Sequence, residues 1–295
     1  MIQVGVYGLG KISKRVIQGI LLSDNACLYA VCSSSIEKAN NFKTEYHAVK
    51  AFNNYEDMLS DSKLDMVYIC TPNYLHAKHI QMALSYYKHV VCEKPMCVSI
   101  KELNECFNFA AMQNCFLMEA HKTVFTPLNQ RIFNIICSGE IGEIKSVDTR
   151  YATRLKEKIS EWHYNQPGAG CMFDIGVYPI CYANRMSNSV ISKVSRFNDE
   201  ALIEYENGCV AHIATSWDVD MDNIAYIYGT KGHIVCKNFW KSTEAMVNGN
   251  KVTSIQKSDF TGEIEHACAC IENGIIESPI MSRLASLEIL KVIEA

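Results

Sequence analysis

The feature that most limits what this chain can fold into is a change of rhythm near residue 120. Before it, short apolar runs alternate with helical patterns. Strands are expected at 3–7, 27–32, 65–70, 89–92 and 115–119, each rich in Val, Ile, Tyr or Cys, as strands covered on both faces are. Helices are expected at 12–22, 36–46, 74–87 and 100–113. Asn73 stands where it would cap the third helix, and Ser99 with Glu102 reads as the capping box of the fourth. Such repetition implies a parallel sheet wound by helices on both faces, an α/β Rossmann domain. After residue 140 strands follow one another at 144–153, 201–206, 209–217, 224–228 and 233–237, with few helices between them. Asn207-Gly208 is a hairpin signal and Gly229-Thr230-Lys231-Gly232 a second turn. The second half is therefore expected to be an α+β domain with a largely antiparallel open sheet. Helices at 173–186 and 281–295 would cover it, the last being free to pack back on the first domain. The two domains are expected to span 1–120 and 121–295.

Composition removes several classes of function. The net charge of −4 offers no basic field to nucleic acid or to an anionic membrane. No apolar run approaches the ~20 residues that a membrane-spanning helix needs, and MIQVGVYGLG lacks the regions of a signal peptide. Fourteen cysteines are scattered through the chain without a CxxC pair. They read as apolar filler in a reducing cytoplasm rather than as a metal site or a disulfide framework. Lone histidines on strands, such as His121, His212 and His233, read as packed or surface residues rather than metal ligands.

Three constellations carry chemistry. Gly8-Leu9-Gly10-Lys11-Ile12-Ser13 follows the first strand and opens the first helix. Glycines there permit a tight turn and let a pyrophosphate approach the helix N-terminus; the third glycine of G-x-G-x-x-G is replaced by the small Ser13. The second strand ends in Ser33-Ser34-Ser35, with Lys38 just beyond and no acid before Glu37. An acid would bind the 2′-hydroxyl of NAD; hydroxyls and a lysine favour the 2′-phosphate of NADP, unless Ser35 only caps the helix. The second constellation lies at two strand ends, Thr71-Pro72-Asn73 and Glu93-Lys94-Pro95. Ligands of open α/β sheets sit there, and the prolines stiffen the backbone that would flank a nicotinamide. The third is the glycine-rich stretch 168–178, which enters a helix carrying Asp174 and Tyr178 four residues apart on one face.

Together these residues resemble the Gfo/Idh/MocA oxidoreductases, the family of glucose–fructose oxidoreductase and inositol dehydrogenase. The resemblance rests on the turn from Gly8 to Ser13, Thr71-Pro72-Asn73 with His76, Glu93-Lys94-Pro95, Met118-Glu119-Ala120, Gly139-Glu140-Ile141-Gly142-Glu143 and the stretch 168–178. It covers nearly the whole chain in order. It implies a second domain whose open sheet forms a homodimer or homotetramer. It also implies that Gly8, Leu9, Gly10, Lys11, Ile12, Ser33, Ser34, Lys38, Thr71, Pro72, Asn73, His76, Glu93, Lys94 and Trp162 serve NADP or NAD. Lys94 and Asp174 would lie in the active site. Where many members carry a histidine acid/base, this chain has Tyr178, as in the branch of dihydrodiol dehydrogenase, glucose–fructose oxidoreductase and some xylose dehydrogenases. Trp162-His163 stands where many members have Trp-Arg, and 187–198 is short for the family.

The implied reaction is hydride transfer between a nicotinamide and a secondary alcohol or carbonyl of a sugar, polyol or cyclic diol. Tyr178 would be the acid/base. A tyrosine titrates at about 10, but an ammonium ~4 Å away at an effective dielectric near 20 favours the phenolate by about 4 kcal/mol. That lowers the pKa by up to roughly three before burial offsets part of it. Lys94 supplies such a cation, and Asp174 would orient a substrate hydroxyl or the lysine. Arg150, Arg154, Trp162 and His163 are further candidates for the pocket wall. Two other readings are a dinucleotide-binding regulator without turnover and an NAD-dependent glycosidase.

Overall fold

Six parallel strands form one sheet: β1 (Ile2–Tyr7), β2 (Ala26–Cys32), β3 (Lys50–Phe52), β4 (Met66–Ile69), β5 (His89–Glu93) and β6 (Leu117–Ala120), in the order β3-β2-β1-β4-β5-β6. Between them run α1 (Lys11–Leu21), α2 (Ile36–Tyr46), α3 (Tyr55–Leu59), α4 (His76–Ser85) and α5 (Ile100–Met112). Every residue of β4 and β6 is buried; β4 is accordingly a continuous apolar run, and β6 is one but for Glu119. This is the α/β Rossmann architecture expected from the rhythm of the first 120 residues. The computed structural model describes residues 1–155 and 160–295.

Local signals explain the helix ends. Ser35 caps α2, and the Ser99 hydroxyl accepts from the Glu102 N–H, 3.2 Å away, at the start of α5. The returning bond of that box goes to a neighbour: the Glu102 carboxylate accepts from the N–H of Val98, not of Ser99. Asn73 does not cap α4. A 3₁₀ turn, Asn73–Leu75, intervenes and leaves Leu75 at the N-cap position.

By its contacts the chain divides into two units, Met1–Ala120 with Lys257–Arg283, and His121–Gln256 with Leu284–Ala295. The return of 257–283 to the first unit has no sequence signature. Its helix, Thr261–Glu272, lies against α1 at Gly19, where an added Cβ would stand 2.8 Å from the Cβ of Phe260. Beyond that helix the chain bonds to the edge of the sheet, the Leu117 N–H donating to the Ile276 carbonyl.

The second unit is built on eight strands: β7 (Ile144–Ala152), β8 (Ile191–Phe197), β9 (Glu200–Tyr205), β10 (Val210–Ser216), β11 (Ile224–Gly229), β12 (Gly232–Lys237), β13 (Glu244–Val247) and β14 (Asn250–Thr253). Their order is β14-β13-β12-β11-β7-β10-β9-β8, antiparallel throughout except for the parallel pair β7–β10. The Asn207-Gly208 signal does close a hairpin between β9 and β10. It does so as a three-residue loop in which Gly208 alone has positive φ, +80°. The stretch 139–143 docks on the β11–β12 turn, the N–H of Glu143 meeting the Thr230 hydroxyl at 3.1 Å. That gives this shared motif a structural task. Helices α6 (Lys122–Phe125), α7 (Pro127–Cys137), α8 (Trp162–Asn165) and α9 (Val177–Ser187) belong to this unit, as does the last helix, Arg283–Glu294, beyond its first residue. Twelve of the fourteen cysteines are buried, as apolar filler is. Among the described residues no helix is long and apolar enough to cross a membrane.

Candidate functional site

In the first unit the chain runs from β1 outward to β3 and returns to β4 on the other side of β1. Loops leaving β1 and β4 therefore part at their carboxyl ends, the switch point where such sheets take ligands. Gly8 makes the first turn with φ +92°, and a Cβ there would lie 2.8 Å from both the carbonyl carbon of Cys70 and the nitrogen of Thr71. Only glycine lets the two strand ends come so close. Gly10 differs: a Cβ on it would meet nothing within 4 Å. It is the N-cap of α1, and no side chain caps that helix. The first-turn N–H groups and the open space over Gly10 fit a pyrophosphate. Leu9 is buried, Ile12 half-buried and Lys11 exposed. Ser13, fully buried, donates its hydroxyl to the Gly10 carbonyl at 2.8 Å and so occupies the third glycine's place without crowding it.

At the end of β2 the hydroxyls are partly committed. Ser33 is buried and accepts from the Ser35 N–H, and Ser35 accepts from the Lys38 N–H at 3.2 Å. Ser34 and the Lys38 side chain are exposed.

At the ends of β4 and β5 the backbone is held from several sides. Thr71 is gripped by two histidines of α4: its carbonyl faces His76 Nε2 at 2.7 Å, and its hydroxyl faces His79 Nδ1 at 3.0 Å. His76 Nδ1 lies 2.9 Å from the Pro95 carbonyl, and the next N–H, of Met96, donates to Glu119 Oε1 at 3.0 Å. Burial drives the pKa of both histidines down to about 4; the charge of Lys94 adds to this at His76, and at His79 so do His76, when protonated, and Lys78. Pro72 is half-buried and Asn73 buried. Lys94 is half-buried between buried Glu93 and Pro95, and the Lys94–Pro95 peptide is cis. Beneath it, the Tyr68 hydroxyl donates to Glu263 Oε1 at 2.7 Å and lies 3.2 Å from Glu93 Oε1. Burial, then the charges of Glu263 and Glu93, pushes that phenol well above its ordinary pKa.

In the second unit a π-helical turn, Met172–Gly176, carries Asp174 into α9, whose second residue is Tyr178. Such turns recur at functional sites. The half-buried Tyr178 ring meets two others edge-on, His121 at 5.8 Å and Tyr151 at 5.6 Å, and Tyr151 stacks on Trp240 at 4.0 Å. Strand alternation separates two neighbours on β7. Thr149 and Tyr151 belong to the face covered by α9, where the Thr149 hydroxyl reaches the Pro179 carbonyl. Arg150 points the other way and pairs with Asp148 at 3.2 Å, so it does not join Tyr178. Arg154 is exposed and pairs with Asp220. Trp162 stacks on His163 at 3.6 Å, and His163 stands edge-on to Trp217. His212 and His233 are exposed.

Sequence reasoning took His121 for a packed or surface residue, which its burial bears out, but missed that it and Tyr151 flank Tyr178. His121 is fully buried beside Tyr178, and Lys122 is buried too, a rare state for lysine. The one available signal was their position directly after Met118-Glu119-Ala120. Tyr151 was hidden by lying next to the more conspicuous Arg150.

Comparison with known proteins adds to this geometry. A profile described as "Oxidoreductase family, NAD-binding Rossmann fold" matches residues 2–121, and one described as "GFO/IDH/MocA C-terminal domain" matches residues 129–235. Trans-1,2-dihydrobenzene-1,2-diol dehydrogenase of Mus musculus is 26% identical over 310 residues, covering 97% of this chain and 92% of that protein. Its Xenopus tropicalis namesake is 28% identical over 303 residues, covering 94% and 92%. Among solved structures, an aldose–aldose oxidoreductase from Caulobacter crescentus complexed with glycerol has a TM-score of 0.87 at 22% identity, covering 99% of this chain and 95% of that one. A 3-ketoreductase from Actinomadura kijaniata in complex with NADP and TDP-benzene has a TM-score of 0.85 at 22% identity, covering 100% and 96%. At these identities the structural likenesses speak to the fold.

Proposed function

The chain belongs to the Gfo/Idh/MocA family and is an NAD(P)-dependent oxidoreductase, and we propose that it acts on a secondary alcohol or carbonyl of a sugar, polyol or cyclic diol. The observation that carries this reading is the likeness to dihydrodiol dehydrogenases over more than nine-tenths of both chains.

The dinucleotide, when bound, donates or accepts the hydride. Gly8, Leu9, Gly10, Lys11 and Ile12 hold its pyrophosphate at the head of α1. Ser33, Ser34 and Lys38 surround its adenosine ribose, and the absence of an acid at the end of β2 favours NADP over NAD. Thr71, Pro72, Asn73, Glu93 and Lys94 flank the nicotinamide half, and Trp162 is a further cofactor-binding residue. In the reductive direction Tyr178 gives its phenolic proton to the substrate oxygen as the carbon gains hydride; in the oxidative direction the phenolate takes that proton back. Lys94 steadies the alkoxide character on that oxygen in either direction. Asp174 orients a neighbouring substrate hydroxyl. The rings of His121 and Tyr151 limit the rotation of the phenol, which keeps its oxygen directed during proton transfer. The outer face of the eight-stranded sheet exposes Leu202, Tyr228 and Met246 and forms a dimer interface.

The test is direct. Protein is mixed with NADP⁺ or NAD⁺ and a panel of dihydrodiols, inositols and aldoses, and the reduced-nicotinamide absorbance is followed. Reduction with at least one cyclic diol or sugar is expected, faster with NADP⁺. Silence across the panel, with cofactor binding shown separately, would sink the reading.

A further inference from the structure

One peptide beside Lys94 is held at both poles. The carbonyl of the Pro95–Met96 peptide faces His76 Nδ1 at 2.9 Å, and its N–H donates to Glu119 Oε1 at 3.0 Å. Both holders are buried, His76 at 1% exposure and Glu119 at 3%. The other nitrogen of the same imidazole faces the Thr71 carbonyl at 2.7 Å. One ring thus spans the two strand ends, β4 and β5, between which a nicotinamide would lie. We infer that His76 is a positioning residue that sets the place of Lys94 through Pro95 and of the Thr71-Pro72-Asn73 segment through Thr71, and that it touches neither cofactor nor substrate. The inference rests on the role proposed above for Lys94.

The chemistry of the ring sharpens it. Both partners are carbonyl oxygens, which only accept, so both contacts are hydrogen bonds only when both nitrogens carry protons. Burial and the charge of Lys94 hold the ring neutral at physiological pH. A neutral imidazole has one N–H, so the two tautomers serve different strand ends. With the proton on Nδ1 the ring holds Pro95; with it on Nε2 it holds Thr71. The two tasks can therefore be separated by amides of different length. Asparagine places a donor near the position of Nδ1, glutamine near that of Nε2.

The experiment compares His76→Leu, His76→Asn and His76→Gln. Affinity is measured by quenching of intrinsic fluorescence with NADP⁺ and NAD⁺, and the rate by single-turnover hydride transfer with the substrate that the panel identifies. His76→Leu should lose roughly tenfold or more in both. His76→Gln should recover affinity but not rate, and His76→Asn rate but not affinity. Equal behaviour of the two amides, or leucine binding cofactor as the native protein does, overturns the inference. If the leucine variant does not fold, the contrast between the amides decides alone, and its affinity arm needs no substrate. Lys94→Ala is the separate control: if it turns over normally, the role of Lys94 fails, whereas a dead Lys94→Ala with equal amide variants removes only the role of His76.

Discussion

The two units build their candidate sites from different materials. The first uses backbone: the turn at Gly8, the uncapped N-terminus of α1, the Thr71 carbonyl and the Pro95–Met96 peptide. The second uses rings: Tyr178 against His121 and Tyr151, and Tyr151 on Trp240. A backbone-built site tolerates little, because a peptide has no rotamers with which to adapt. A ring-built site can be resurfaced one side chain at a time. The contrast agrees with the division proposed above, in which the first unit holds the dinucleotide and the second the substrate.

The largest expected effect falls in the second unit. Tyr178→Phe should lower turnover by about 10²–10⁴-fold, the usual contribution of a general acid, while cofactor affinity stays unchanged. Loss of cofactor binding instead would mean the two sites are not separable. Next come the glycines of the first unit. Gly8→Ala forces a Cβ to within 2.8 Å of the β4 end at positive φ and should cost about 3 kcal/mol or more in chemical denaturation. Gly10→Ala, facing open space, should leave stability within about 1 kcal/mol and weaken only dinucleotide binding. Equal stability losses would refute the assignment of separate tasks to these glycines.

A third effect depends on pH. His76 and His79 are neutral in the folded protein, with pKa values of about 4, and ordinary once unfolded. Below about 6.5 the unfolded chain binds protons that the folded one refuses. Stability is thus complete above that pH and falls as pH drops toward 4, by about 2 kcal/mol per histidine at pH 5. Thermal unfolding between pH 7 and pH 5 measures it, and His79→Gln should flatten the profile. The smallest effect returns to the rings. Tyr151→Leu should lower kcat severalfold with little change in KM, since an aromatic pair contributes about 1 kcal/mol. A large fall in kcat would show that Tyr151 fixes the phenol more firmly than edge contact implies.

Much of the first unit was legible because its signals are local. The strand–glycine–helix turn, the Ser99 cap and the Rossmann rhythm each lie within a few residues of what they specify. Elsewhere local reading failed for physical reasons. Asn73 was displaced from its capping place by a 3₁₀ turn, and β8, β13 and β14, short or at the sheet's margin, carry patterns too weak to read. Arg150 drew attention by its charge, yet the strand's period of two turns it away from the face that Tyr151 shares with α9.

By itself, then, the sequence determined the succession of elements, the turn chemistry and the residue types available for hydride chemistry. Tertiary structure alone decided which distant residues support them. Glu263 meets Tyr68 across a separation of 195 residues, and His121 comes to rest against Tyr178. Backbone preferences act between neighbours and leave their mark in spacing. Packing partners are chosen by shape and burial in three dimensions, and no spacing records that choice.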